Sequence, residues 1–115
     1  MLAAPNRLRK NFEITRVYKR GVYGSSGGPL SLKAFHTKQA QSRAVVVVSK
    51  KIDKRAVVRN RIRRRLTGVL ATIWKTVPAG YDIVVSVHSD VSGLTAPELT
   101  RLVTSALASA HLIPR

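Results

Sequence analysis

The spacing of apolar residues along the chain predicts three helices and three strands. Apolar positions recur at helical spacing over residues 11–20, 56–75 and 95–110. Patterns typical of strands, either alternating or rich in β-branched residues, run over residues 30–35, 44–49 and 81–87. The stretches between them, such as residues 23–29, are rich in glycine, proline and small polar residues and are interpreted as loops.

The two longer helices have distinct local signals. In the central helix, one apolar stripe is formed at spacings of three and four by Val58, Ile62, Leu66, Val69 and Ile73. The last helix is preceded by a threonine and a glutamate at capping-box spacing, Thr95 and Glu98. Both helices therefore have one face that needs a partner in the core.

The order of elements, α-β-β-α-β-α, predicts an α+β fold: a single-domain sandwich in which helices pack on a small mixed sheet. The valine-rich stretch over residues 44–49 is expected to be a strand buried on both faces. It is joined to the strand over residues 81–87 by the long helix. Because such a crossover joins parallel strands, we expect these two strands to be parallel.

Composition changes this picture through charge. The chain has 115 residues, enough for one domain, and its 44% hydrophobic content is sufficient for a packed core. Lys and Arg number 21 against five Asp and Glu, which gives a net charge of +16. Such a surface repels itself unless a polyanion neutralises it. Nucleic acid is the first candidate partner, and an anionic membrane surface is the second.

The charge is concentrated in two places. Nine cations lie between Lys50 and Arg65, opposed only by Asp53, and a second group lies within residues 7–20. The chain after residue 77 has only two cations and three acids. We therefore expect residues 1–115 to form one nucleic-acid-binding domain whose last third is a scaffold. Residues 1–10 are interpreted as a basic arm that can be flexible.

Several classes of function are disfavoured by the residues. There are no cysteines, no signal peptide at the start and no apolar run near the ~20 residues of a membrane span. We expect a cytoplasmic protein without membrane partners. No two of the five acids lie within seven residues of one another, and the three histidines are far apart. We therefore predict no catalytic residue, no metal site and no cofactor bound by the protein itself.

The most informative stretch is SKKIDKRAVVRNRIRRRL, residues 49–66. On a helix, its arginines lie along both flanks of the apolar stripe, about 5–6 Å apart. A guanidinium grips phosphate oxygens in bidentate fashion, so this pattern indicates contact with a nucleic-acid backbone. The alternative is a solvated basic helix face, which is the usual meaning of a shorter run of charge.

This stretch resembles the signature of the bacterial ribonuclease P protein family, roughly S-K-K, a variable stretch and R-N-R-I-[KR]-R. The segments over residues 6–10, 17–21 and 81–85 are similar to other parts of that family, so the resemblance covers nearly the whole chain. It implies a fold similar to a domain of ribosomal protein S5. It also implies a non-catalytic subunit of an endoribonuclease whose chemistry is done by an RNA with Mg²⁺.

The resemblance also implies partners and residues. The partners are the ribonuclease P RNA, with one protein expected per RNA, and precursor tRNA, whose 5′ end is matured. The implied contacts to the catalytic RNA are Lys50, Lys51, Lys54, Arg55, Arg59, Asn60, Arg61, Arg63, Arg64 and Arg65. A cleft for the single-stranded 5′ leader is implied at Arg9, Phe12, Ile14, Tyr18, Phe35 and Ser49.

Two departures from the family pattern bear on these expectations. The family's first cleft aromatic falls on Ile14, and Thr67 and Gly68 follow the motif where the family has Arg and then Glu or Gln. Tyr18 and Phe35 can also be simple core aromatics. Two other functions stay open: a ribosome-associated binding module, which needs no leader cleft, and a nonspecific DNA-binding protein.

Overall fold

The computed structural model describes residues 2–113. The helices are α1 (Asn11–Arg20), α2 (Ala56–Ile73) and α3 (Ala96–Ser109). The strands are β1 (Val22–Ser25), β2 (Leu30–His36), β3 (Arg43–Val48) and β4 (Tyr81–Val87). Short 3-10 helices cover Ala4–Asn6 and Trp74–Thr76. All six predicted elements are present, and β1 is an additional strand.

The four strands form one mixed sheet in the order β1-β2-β4-β3. β1 and β2 are antiparallel, as are β2 and β4, whereas β3 and β4 are parallel, as the crossover through α2 predicts. The α+β class is therefore confirmed, and the observed order of helices and strands is α-β-β-β-α-β-α. β1 and β3 are the two edges of the sheet.

The prediction of a loop at residues 23–29 was wrong for its first part, because β1 pairs there with β2. The strand has only four residues, and Gly24 interrupts its apolar pattern. Gly24 is needed there because α3 approaches closely. A Cβ at Gly24 would lie 2.8 Å from the backbone nitrogen of Ala110 and against the carbonyl oxygen of Ala106.

The helices cover the two faces of the sheet unequally. α2 and α3 pack on one face around the main core, and α1 packs on the other face over a smaller cluster of Leu8, Val17 and Val84. The sequence predicted that β3 is buried on both faces. The structure confirms this for the face under α2 but not for the face that carries α1. Ala44 and Val46 are buried under α2, whereas Val45 and Val47 are only half-buried, because the short α1 covers only part of its face.

The expected capping box at the start of α3 is present. The Thr95 hydroxyl accepts from the Glu98 backbone N–H, and the Glu98 carboxylate accepts from the Thr95 backbone N–H. α2 is the longest helix, and its apolar stripe is buried as predicted at Val58, Ile62 and Leu66. Within residues 2–113, no helix has the length and apolar character that crossing a membrane requires.

Residues 2–10, which the sequence suggests as a flexible basic arm, pack against the edge of the sheet. Leu2 is buried in the main core and Leu8 in the cluster under α1, so the segment passes from one face of the sheet to the other. The Leu8 backbone N–H donates to the Ala44 carbonyl over 3.0 Å, and Asn6 donates to the Ser42 carbonyl over 2.9 Å. Met1 lies outside the described residues.

Candidate nucleic-acid interface

A groove runs along the outer edge of β3, between the N-terminal segment and α2. We call it the β3-edge groove; its cavity has a volume of about 640 Å³. Its polar lining consists of Arg7, Arg9, Asn60, Arg63, Arg64 and Thr67. Its apolar lining consists of Leu2, Leu8, Ala44, Val45 and Val46. The groove therefore has an apolar floor with four guanidinium groups on its two sides.

Local structure explains why these cations meet. Asn60, Arg63, Arg64 and Thr67 are three or four residues apart on α2, so they share one flank beside the buried stripe. The N-terminal segment runs beside the start of β3, with Arg7 paired with Ala44. The groove thus joins the two basic regions of the sequence. Arg9, which the resemblance assigns to a leader cleft, lines this groove.

The other expected RNA contacts fall into two groups. In the first group, the arginine side chains donate hydrogen bonds to backbone carbonyls of the protein. Arg59 donates to the carbonyls of Asp53 and Lys54 over 3.0 and 2.8 Å. Arg65 donates to the carbonyls of Ser92 and Leu94.

Other cations remain available to a ligand. Arg61, Arg63 and Arg64 are exposed and make no side-chain hydrogen bond to any residue within 2–113. Lys50, Lys51 and Lys54 lie exposed in the connection between β3 and α2. The structure therefore separates arginines with structural bonds from arginines that are free to bind phosphate.

Asp53 is the single acid inside the basic stretch, and its carboxylate is bound by Arg55. The Arg55 guanidinium donates to both carboxylate oxygens, over 3.1 and 3.0 Å, and the Arg55 backbone N–H also donates to one of them, over 2.8 Å. These bonds lower the pKa of Asp53 from 3.8 to about 2. The same contact raises the pKa of Arg55, which stays charged at any physiological pH.

The face of the sheet that carries α1 is the second candidate surface. Val17 points from α1 into the sheet, so residues on either side of it form two flanks of the helix. Ile14 and Tyr18 share one flank, and Phe12 and Arg16 share the other, because each pair is four residues apart. Ile14 packs on the small cluster, and Tyr18 is 39% exposed.

The residues expected in the leader cleft are therefore not all on the same side of α1. The Arg16 guanidinium lies 4.8 Å from the centre of the Phe35 ring and covers it. Phe12, 66% exposed, has the Lys10 ammonium over its ring at 5.9 Å. Ser49 is exposed just after the end of β3. Ile14 and Tyr18 thus come together, whereas Phe12 and Phe35 lie towards the opposite flank.

Sequence reasoning missed Lys33 on this face. Its ammonium donates to the backbone carbonyl of Tyr18 over 2.7 Å and holds the end of α1 over β2. Two residues before Lys33 on the same face of β2, Ser31 pairs with Ser86 of β4, and Ser86 pairs with Val47 of β3. The alternation in β2 already placed Lys33 opposite the buried leucines, but the sequence does not show that α1 ends above it.

A buried ion-pair cluster fixes the orientation of α1. Arg43 donates to Asp82 over 2.8 Å and to Glu13 over 2.7 Å, and Arg16 donates to Asp82 over 3.2 Å. Asp82 is fully buried, and the Arg43 side chain is only 15% exposed. The hydrogen bonds that Arg43 donates to Asp82 and to Glu13 raise its pKa despite burial. α1 is therefore tied to β3 and β4 by charge as well as by apolar contact.

All five Asp and Glu side chains have a structural partner. Glu13 and Asp82 bind Arg43, Asp53 binds Arg55, and Glu98 caps α3. Asp90 accepts from the backbone N–H and hydroxyl of Ser92, which lowers its pKa. In the described part of the chain, no three His, Asp or Glu side chains are grouped so that they could hold a metal ion.

Comparisons with known proteins agree on one family. The profile of the family described as Ribonuclease P matches residues 2–111. A "Ribonuclease P protein component" of Pseudanabaena sp. is 35% identical over 114 residues, covering 98% of this chain and 97% of its own. The corresponding protein of Brevibacillus brevis is 31% identical over 94% of this chain and 85% of its own.

Solved structures share the fold. The Staphylococcus aureus RNase P protein superposes with a TM-score of 0.81 at 23% identity, over 94% of this chain and 97% of that one. The Thermotoga maritima RNase P protein superposes with a TM-score of 0.76 at 20% identity, over 85% and 91%. These likenesses support the arrangement of helices and sheet described above.

Proposed function

Because this chain belongs to the bacterial ribonuclease P protein family, we propose that it binds the ribonuclease P RNA and the 5′ leader of precursor tRNA. In this role it assists the endonucleolytic maturation of tRNA 5′ ends, with one protein per RNA. The RNA subunit, with Mg²⁺, supplies the chemistry. The protein contributes binding energy that holds leader and phosphates in place.

The β3-edge groove is the observation that carries this proposal. Four guanidinium groups from two distant parts of the chain, Arg7, Arg9, Arg63 and Arg64, line one cavity of about 640 Å³. A solvated basic face explains charge along one helix, but it does not explain why a second segment brings its arginines to the same cavity. Guanidinium groups on two sides suit a phosphate backbone lying in the groove.

Arginines around this groove would read backbone shape rather than base sequence. Within residues 2–113 the side chains of Arg63 and Arg64, which line the groove, make no hydrogen bond to the protein, so binding phosphate breaks none. Asn60 adds an amide to the same lining. Structured RNA displays phosphates and 2′-hydroxyls in a fixed geometry, which such an arrangement can match.

The leader is assigned to the open face of the sheet beside Ile14 and Tyr18. Tyr18 offers a partly exposed ring for a base, and Lys33 lies next to it for a phosphate. The half-buried Val45 and Val47 and the Ser86 hydroxyl provide an uncharged floor beyond the helix. Where the family has its first cleft aromatic, this chain has the aliphatic Ile14. We therefore expect Tyr18 to make most of the stacking contact with the bases of the leader.

The assignment of the chemistry to the RNA is supported by the state of the carboxylates. Each of the five is engaged in an ion pair, a cap or a turn. Releasing both Glu13 and Asp82 to hold a metal ion would leave the largely buried Arg43 without a partner, which is costly. A protein active site built from these groups would therefore dismantle the attachment of α1.

The test is cleavage of precursor tRNA at low Mg²⁺ by three samples: this protein, a bacterial ribonuclease P RNA, and both together. We expect only the mixture to cleave at the mature 5′ end. The Arg63→Ala/Arg64→Ala variant should need more protein for the same rate. Cleavage by the protein alone would refute the assignment of the chemistry to the RNA.

Two binding comparisons separate the alternatives. If the mixture binds precursor tRNA no better than leaderless tRNA, the chain is a binding module without a leader cleft. If duplex DNA competes as well as structured RNA for the free protein, the chain is a nonspecific DNA-binding protein. We expect a clear preference for the leader and for RNA in the two comparisons.

A further inference from the structure

β1 presents an exposed aromatic ring at the edge of the sheet. Tyr23 is 58% exposed, although tyrosine is a residue that usually buries much of its surface. Its neighbours on the strand, Val22 and Gly24, point to the opposite face, where Gly24 packs under α3. Tyr23 therefore faces the side of the sheet that carries α1. Since most of its ring stays in water, it adds little to folding.

Tyr23 extends the group formed by Tyr18 and Lys33. Lys33 is the direct partner of Tyr23 in the register of β1 and β2, and the strands lie about 4.8 Å apart. The Lys33 ammonium donates to the carbonyl of Tyr18 over 2.7 Å. One lysine thus touches the residue at the end of α1 and lies beside the exposed ring on β1.

The next row of the sheet on this face is lined with hydroxyl groups. Ser25 of β1 pairs with Ser31 of β2, and Ser31 pairs with Ser86 of β4. The Ser31 hydroxyl is hydrogen-bonded to the His88 ring at 2.5 Å. Ser31 is thus buried and engaged, and the half-buried Ser25 and Ser86 are the members of this row that can offer hydroxyl groups to phosphate oxygens or ribose 2′-hydroxyls. The surface next to Tyr23 is therefore polar, and an apolar protein partner would gain little there.

We propose that Tyr23 is a second base-stacking position, which carries single-stranded RNA past Tyr18 onto β1. Lys33, the cross-strand partner of Tyr23 and a donor to the Tyr18 carbonyl, binds the phosphate that joins the stacked nucleotides with its remaining N–H groups. The occupant is anionic and has flat bases, which matches two exposed aromatic rings, a lysine next to both residues and the basic last turn of α1. This inference rests on the proposed leader-binding function and lengthens the path of the leader.

The test measures binding of precursor tRNAs by the protein assembled with ribonuclease P RNA, over a series of leader lengths. Tyr23→Ala should weaken binding of precursors with long leaders about five- to tenfold, the lower part of the range for a base stacked on an aromatic ring. It should not change binding of precursors whose leader is too short to pass Tyr18. Tyr23→Phe should bind like the wild type, because the ring is retained.

The strand itself offers a matched control. Val22→Ala changes a side chain of nearly equal exposure, 57%, on the opposite face of β1, and should leave binding unchanged at every leader length. Tyr23→Thr removes the ring while keeping a residue favoured in strands. It should reproduce the loss seen with alanine if stacking is the cause, even where alanine lowers stability.

The outcomes separate the two proposals. If Tyr23→Ala and Tyr23→Thr bind all precursors like the wild type while Tyr18→Ala weakens long-leader binding, Tyr23 is no stacking position and leader binding stands. If both variants lose affinity equally for short and long leaders, the inference also fails. If the wild-type assembly does not distinguish leader lengths at all, the leader-binding function itself is wrong.

Discussion

Replacing Arg63 and Arg64 together with alanine is expected to weaken RNA binding and to flatten its dependence on salt. Both side chains line the β3-edge groove and are exposed. Each lost phosphate contact lowers the slope of log K against log salt by ~0.9, so two contacts lower it by ~1.8. Raising salt fourfold, from about 50 to about 200 mM, should then shrink the affinity ratio of wild type to variant ~12-fold.

Controls within the chain make this prediction specific. Lys75→Ala/Arg101→Ala removes two charges far from the groove, one about 18 Å further along the axis of α2 and one on α3, and should change the slope much less. Arg65→Ala should mainly lower stability, because its guanidinium is bound to two carbonyls. Filter-binding or anisotropy titrations at fixed Mg²⁺ measure the slopes. Equal slopes for wild type and the groove variant would show that these arginines only face solvent.

Three further predictions concern the scaffold. Arg43→Ala leaves the buried Glu13 carboxylate without its partner and Asp82 with Arg16 alone, and should lower the free energy of unfolding by roughly 3–5 kcal/mol in urea titrations; a small change would mean that the cluster relaxes. The Asp53 carboxylate should titrate near pH 2 by NMR and return towards 3.8 in Arg55→Gln. Since its folded pKa is depressed, its stabilisation is complete above pH 3.8 and lost as pH falls through about 2, with no change near neutrality. Gly68→Ala meets no atom within 4 Å and should raise stability by ~1 kcal/mol in thermal melts, whereas Gly24→Ala should lower it.

Local signals predicted most of the fold. The apolar stripe of α2 and the capping box of α3 depend on neighbours three or four residues away, so the sequence alone reveals them. β1 was missed because a four-residue strand with a central glycine has almost no alternation, and Gly24 is explained only by the approach of α3. The half-exposed face of β3 was also missed, since a run of valines does not show that the strand lies at an edge.

The sequence predicted which residues belong to the candidate site, but not how they are arranged in space. The arginines of α2 were identified from their spacing, yet only the structure shows that Arg59 and Arg65 are bound internally. The meeting of Arg9 with α2 depends on Leu2 and Leu8 packing on opposite faces of the sheet, which is a non-local effect. Phe35 was placed in the cleft by the family resemblance, which does not reveal the guanidinium of Arg16 over its ring.

The position of the N-terminal segment has a consequence for solubility. Four consecutive valines, residues 45–48, form most of an edge strand, and such a strand with free backbone groups is a template for pairing with another chain. The segment over residues 2–8 covers the beginning of this edge, and the arginines of the groove flank it. Charged residues beside an apolar strand act as gatekeepers against aggregation, because two copies would bring like charges together. The arginines assigned to RNA would thus also oppose pairing of this edge with a second copy, and RNA would remove that repulsion only where it covers the same edge.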